Sequence, residues 1–287
     1  MELDPPRGVT ETPADYEARV HALARPLRTP MEQGTMAWHV WGEDAAPPLV
    51  LLHGGFGSWR HWILNVVPIS RHYRVLCADL PGLGDSDPLP GEYTADNVAR
   101  AVLQGIDHLL GDARFRITGF SFGGIITSHV GPLASARIDR LVTVAPGALG
   151  LTSRRPELVS LGVRRDPQAV LDTHRENLAR LMIKDPARID DLALHLQVET
   201  VRRARARSGS IPWTDASARA LARCECPIAG VWGERDLIAE QHMHERVALF
   251  QRLQPGCPFE IIAGAGHWVM YERPDRFNAV LLDILAR

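Results

Sequence analysis

Apolar residues in this chain fall into short continuous runs bounded by proline and glycine, separated by longer stretches with helical spacing. Leu49–His53 follows a Pro-Pro pair, Tyr73–Asp79 stops before Pro81-Gly82, and Phe115–Thr118, Arg140–Ala145, Pro227–Trp232 and Phe259–Ile262 repeat the pattern. Met36–Trp41 is a further β-rich run. Continuous apolar runs such as Leu49–His53 predict strands covered on both faces, the situation of a parallel sheet. Thr94–Leu110 predicts a helix, as does Pro274–Ala286, whose proline suits a first helical turn. Strands alternating with helices predict βαβ units and a doubly wound α/β sheet.

The alternation breaks between residues 148 and 222. That stretch has no convincing strand and carries charge throughout, while Gln168–Ile183 and Ile189–Arg207 have helical spacing. Residues 1–33 are rich in proline and charge, with Tyr16, Val20 and Leu23 at helical spacing inside Asp15–Ala24. The expected organisation is an N-terminal arm (1–33), a sheet domain in two pieces (34–147 and 223–287), and a helical cap between them (148–222). At about 150 residues per domain, the 287 residues leave one large or two small domains open. The inserted block favours one sheet domain with a cap folded into it.

The net charge of −2 supplies no global field to recruit nucleic acid or anionic lipid, so partners must be argued from local sites. Lys184 is the only lysine among 32 basic residues. Four cysteines are too few and too unevenly spaced for a secreted disulfide framework, and Cys224-Glu-Cys226 lacks the second ligand pair of a zinc site. No stretch approaches the ~18 apolar residues that span a bilayer, and the N-terminus has no basic segment followed by an apolar one. A soluble cytoplasmic protein without metal or cofactor is expected, acting on a small molecule as monomer or homodimer.

Chemistry concentrates in Gly119-Phe-Ser121-Phe-Gly123, between a predicted strand and a predicted helix. Small flanking residues permit a turn sharp enough to lift a serine hydroxyl clear of the sheet, making Ser121 a candidate nucleophile. The helix start also places the Phe122 amide where an oxyanion would form. A serine hydroxyl needs a base and a group that orients it. Asp236 lies just beyond the strand at Pro227–Trp232, and His267 just beyond Phe259–Ile262, in the order nucleophile, acid, base. Glu234 is the runner-up acid, but it follows its strand by only two residues. In the glycine-rich turn after Leu52, Gly55 or Phe56 is the expected second oxyanion donor, and His53 is expected to brace that turn rather than act as the base.

At these residues the chain resembles the α/β-hydrolase family. His53-Gly-Gly, Asp79-Leu-Pro-Gly-Leu-Gly-Asp-Ser86, Gly119–Gly124, Trp232-Gly-Glu-Arg-Asp236 and Gly266-His-Trp268 occur in family order and span nearly the whole chain from Thr35. The resemblance implies a mostly parallel eight-stranded sheet with a helical cap after the sixth strand, and supports Ser121, Asp236 and His267 as a catalytic triad. A serine at the nucleophile position is unlike the aspartate-dependent dehalogenases and epoxide hydrolases of the same fold. A narrower similarity, to carbon–carbon hydrolases of meta-ring-fission products, rests on Gly266-His-Trp268, Glu272, Phe277-Asn278 and the Lys184–Asp191 stretch. The chain departs from that group at Phe120, commonly asparagine there, and near Gln197, where a cap arginine is expected; Arg202 or Arg203 is the nearest substitute.

Aromatic residues near these motifs or in the cap, Phe56, Trp59, Phe120, Phe122, Trp213 and Trp268, suggest an apolar acyl or aryl group, with Phe56, Phe120, Trp213 and Trp268 the expected substrate contacts. Trp38 and Trp41 read as packing residues. The Arg202–Arg207 run reads as a solvated helix face, with a carboxylate clamp as the sharper alternative. Three functions follow: a hydrolase of small or medium apolar carboxylic esters, a carbon–carbon hydrolase of a vinylogous diketone, and a non-catalytic ligand-binding protein on the same scaffold.

Overall fold

A computed structural model describes residues 10–162 and 166–287; residues 1–9 of the expected arm lie outside the described residues. Eight strands form one sheet: β1 (Arg25–Pro30), β2 (Thr35–Trp41), β3 (Pro48–Leu52), β4 (Arg74–Ala78), β5 (Phe115–Phe120), β6 (Ile138–Val144), β7 (Ile228–Gly233) and β8 (Phe259–Ile262). Their order across the sheet is β1-β2-β4-β3-β5-β6-β7-β8. β1–β2 and β2–β4 pair antiparallel and all other neighbours pair parallel. Leu49–Leu52 of β3 are fully buried, as a strand with parallel neighbours on both edges requires.

The helices are α1 (Pro13–Ala22), α2 (Val66–Ser70), α3 (Ala95–Leu110), α4 (Phe122–Ala134), α5 (Pro167–Asn177), α6 (Asp191–Arg203), α7 (Ala216–Leu221), α8 (Met243–Leu253), α9 (Val269–Glu272) and α10 (Pro274–Ala286). α3 begins where the Thr94 hydroxyl accepts from Asn97 N, and it buries Val98, Val102 and Ile106 at helical spacing. α4 packs on β5 and β6 and against α3, while α10 packs on α9, α2 and β8.

Two boundaries differ from expectation. Residues 25–30, read as part of an arm, form the edge strand β1, with Leu27 opposite Trp38 and Thr29 opposite Met36. Arg-Pro-Leu-Arg-Thr-Pro has no apolar run, and an edge strand tolerates its prolines because one row of amides has no partner strand to serve. α6 ends at Arg203, short of the expected Arg207. The Arg205 and Ala206 amides leave helical geometry to donate to Gly82 O, at 2.8 and 3.0 Å, so docking on the sheet domain outweighs helix propensity.

Residues 148–222 lie between β6 and β7 and contain no strand among the described residues. Glu17 of α1 helps hold this segment: it accepts from His195 of α6 at 2.8 Å and from Arg60 Nε at 2.8 Å. Burial would raise its pKa, but those hydrogen bonds and the Arg60 charge hold it down at about 2. A carboxylate whose folded pKa is depressed contributes stability above its unfolded value, and loses it as pH falls toward the folded one. Glu17→Gln is therefore expected to lower unfolding free energy at pH 6 by about 1 kcal/mol. The gap from wild type should close between pH 4.5 and about 2, measured by urea denaturation across pH.

Candidate active site

β5 passes directly into α4 at Ser121, which sits at φ 50° and ψ −112°. Few non-glycine residues adopt such a backbone, at a cost of roughly 1–3 kcal/mol met by the surrounding packing. Ser121 N donates to Val144 O at 2.8 Å, and Ser121 O accepts from Ile125 N at 3.1 Å, fixing the turn from both sides. The flanking glycines are required by space: a methyl at Gly119 would strike Gly123 O and Thr127 Oγ1, and one at Gly123 would strike the carbonyls of Leu52 and His53.

The loops after β7 and β8 are tied together, with Arg235 N donating to Ala265 O at 2.8 Å and Glu234 N to Ile262 O at 3.0 Å. They bring His267 between Asp236 and Ser121. His267 Nδ1 lies 2.8 Å from Asp236 Oδ2, and Nε2 lies 3.0 Å from Ser121 Oγ. Asp236 is 1% exposed, and its other oxygen accepts from Ile238 N at 3.0 Å. With the proton on Nδ1, Nε2 is free to accept from the serine hydroxyl. Glu234 instead accepts from Gly264 N at 2.9 Å and supports the loop.

The turn after β3 adjoins the start of α4. A methyl on Gly55 would stand 3.8 Å from Phe122 Cβ, and both residues line the cavity that Ser121 lines. Phe122 N–H, at the first helical position, is among the donors left over by helix geometry. His53 is fully buried; its Nδ1 donates to Gly54 O at 2.8 Å and its Nε2 accepts from Leu80 N at 2.9 Å, a bracing role. Burial lowers its pKa, keeping the imidazole neutral as both contacts require.

Three further residues position the candidate site: Asp79 opens the Asp79–Ser86 motif and Glu272 belongs to the narrower resemblance, neither with a role read from it, while no motif marked His61. His61 Nδ1 accepts from Gly54 N at 3.2 Å, and its ring meets Phe120 edge-on. Burial lowers its pKa well below the imidazole range. Asp79, fully buried, accepts from Trp59 N at 2.8 Å and Asp85 N at 2.9 Å and lies 3.4 Å from His39 Nε2. Burial raises its pKa, but the His39 contact and the Asp85 amide prevail and hold it at about 2. Glu272 joins the inserted segment to the His267 loop, accepting from Lys184 N and Asp185 N at 3.0 and 2.9 Å and from Gly266 N at 2.6 Å.

A cavity of about 780 Å³ opens over Ser121, walled by the sheet domain and by segments 148–158 and 208–214. Phe56, Phe120 and Trp213 line it. Trp268 does not: it is fully buried, stacks on Tyr271 at 4.4 Å and donates through Nε1 to His61 O at 3.0 Å. Its indole anchors the His61 segment from behind. Nor do Gln197, Arg202, Arg203 or Arg205 line the cavity. Arg203 pairs with Asp85 at 2.7 Å, Arg202 with Glu199 at 2.7 Å, and Arg205 donates to Ser86 O. These arginines border a separate depression of about 270 Å³, so a clamp built from them would not face Ser121.

Among the described residues no helix is long and apolar enough to cross a membrane. A model of the alpha/beta hydrolase family matches residues 49–280. The dihydrolipoyllysine-residue acetyltransferase component of an acetoin cleaving system from Pseudomonas putida is 26% identical over 255 residues, 88% of this chain and 67% of that protein. A 2-hydroxy-6-oxononadienedioate/2-hydroxy-6-oxononatrienedioate hydrolase from Cupriavidus pinatubonensis is 26% identical, covering 84% of this chain and 87% of its own. A carboxylesterase structure from Bacillus subtilis superposes with a TM-score of 0.76 at 21% identity, over 95% of this chain and 96% of its own.

Proposed function

The chain belongs to the alpha/beta hydrolase family, and from that premise we propose that it is a serine hydrolase cleaving small or medium carboxylic esters through an acyl-enzyme. The observation that carries this reading is the hydrogen-bonded series Ser121–His267–Asp236 at the foot of the cavity. His267 Nε2 takes the Ser121 proton as Oγ attacks the ester carbonyl, and Asp236 stabilises the imidazolium that forms. The Phe122 and Gly55 amides receive the oxyanion, the alkoxide leaves with the proton from His267, and water resolves the acyl-enzyme by the same steps. Apolar walls such as Leu149, Leu158 and Met182 suit an aliphatic or aryl group.

A fluorophosphonate probe tests this directly. Stoichiometric phosphonylation of Ser121, lost in Ser121→Ala, is the expected result; wild-type protein that takes up no label would reject it. Cleavage of a carbon–carbon bond in a vinylogous diketone is the second reading, favoured by the name of the Cupriavidus relative. The placement of Arg202 and Arg203 beside Glu199 and Asp85 argues for the ester. Diketone cleavage faster than hydrolysis of any ester in a panel would reverse that preference.

A further inference from the structure

A cation stands in the cavity wall where ester hydrolysis itself needs none. Arg246 of α8 is 3% exposed and lines the same cavity as Ser121 and His267. Its Nη1 donates to His242 O at 3.1 Å and its Nη2 to Ser153 Oγ at 2.7 Å. Glu245 is 3.9 Å away and is shared with two other donors, Thr152 N at 3.0 Å and His242 Nδ1 at 3.1 Å. A guanidinium presents five donors in a planar fork, and these two hydrogen bonds leave part of that fork for another acceptor. Burial disfavours the charge and lowers the group's pKa, with Glu245 and Asp236 acting in the opposite sense, yet an arginine remains protonated under working conditions.

The charges lining the cavity lean the same way. Arg155 and Arg246 are its cations, and Asp236, committed to His267, is its carboxylate among the described residues. Arg155 lies at 5.2 Å over the Trp213 ring, on an exposed stretch of the wall. Arg246 sits on the Asp236 side: Ile238 N donates to Asp236, Arg154 N to Ile238 O, and the neighbouring Ser153 receives the guanidinium. An anionic group entering this side would be repelled by Asp236 and needs a compensating cation in a poorly screened site.

We infer that Arg246 is a carboxylate-recognition point in the Asp236-side wall of the cavity, and that the substrate is an ester carrying a free acid remote from the scissile bond. The substrate half of this statement rests on the serine-hydrolase reading; the anion-binding half does not. The guanidinium would bind the acid by charge-assisted hydrogen bonds, setting specificity without touching the reacting atoms.

The test compares mono(4-nitrophenyl) suberate with its ω-carboxamide, equal in length and leaving group but differing in charge. Wild-type protein is expected to favour the acid in kcat/KM by about 10- to 100-fold, mostly through KM. Arg246→Gln should erase that preference, and Arg246→Lys should keep part of it. A purely structural guanidinium would instead lower both substrates together and leave their ratio unchanged, which would overturn the proposal. A wild-type enzyme with no preference would overturn it without any variant, so a poorly folding Arg246→Gln does not shelter it. If wild type hydrolyses neither ester, the ester half of the proposal falls, and calorimetric titration with suberate against suberamide decides the anion site. Binding of the dianion alone, weakened at least tenfold in Arg246→Lys or Arg246→Gln, supports the site; no preference for the dianion rejects it.

Discussion

Asp236→Asn is expected to lower kcat on a 4-nitrophenyl ester by about 10⁴-fold while the protein stays folded, a loss of the size seen when a triad aspartate is neutralised. The geometry supplies the reason. Asp236 Oδ1 accepts from Ile238 N and Oδ2 faces His267 Nδ1. An asparagine keeps its carbonyl oxygen on Ile238 N and turns its NH₂ toward the imidazole. Nδ1 must then accept, so the ring proton moves to Nε2 and points at Ser121, 3.0 Å away. A histidine in that tautomer cannot take the serine proton. Circular dichroism should be unchanged, because the substitution is isosteric. Turnover within tenfold of wild type would show that Asp236 does not orient the base.

Asp79→Ala is expected to cost about 3–5 kcal/mol, the range found when one partner of a buried charged contact is removed. Total stability of a folded domain is roughly 5–15 kcal/mol, so this one change consumes a large share. Asp79 is fully buried, and its carboxylate serves Trp59 N and Asp85 N and faces His39. Truncation leaves the buried Trp59 amide and the partly buried Asp85 amide without this acceptor. The Trp59 contact follows closely on Gly55 and Phe56, so the turn after β3 should loosen as well. Urea denaturation at pH 7 measures the loss of stability, and specific activity of the folded fraction should also fall. Asp79→Asn, which keeps one acceptor oxygen, should recover part of both. A midpoint unchanged by Asp79→Ala would mean that the two amides find other partners.

Features carried by local rules are legible in the sequence alone. α10 begins and ends at Pro274 and Ala286 as its pattern predicts, because a proline at the first position and an apolar stripe at helical spacing act within a few residues. The β5–Ser121–α4 turn was legible for the same reason, its glycines being demanded by contacts within one supersecondary unit. Asp236 and His267 stood out because each follows a strand at a predictable distance. The edge strand β1 was hidden, since Arg25–Pro30 owes its extended form to pairing with β2 and not to its own composition. Arg246 left a faint trace: it shares a helical face with buried Leu249 and Phe250, three and four residues on, so its side of α8 points inward.

By itself, the sequence determined the doubly wound α/β architecture and which of its residues meet at the carboxyl ends of the strands, because strand period, turn chemistry and short motifs are written in neighbouring positions. Only the tertiary structure decided which side of a residue meets the cavity. It turned Trp268 into the core behind His61, drew Arg202, Arg203 and Arg205 toward Asp85, Ser86 and Glu199, and set Arg246 in the wall over Ser121. The physical reason is that the direction of a side chain depends on contacts with segments far away in the chain. Spacing along one helix or strand constrains such contacts only to a face.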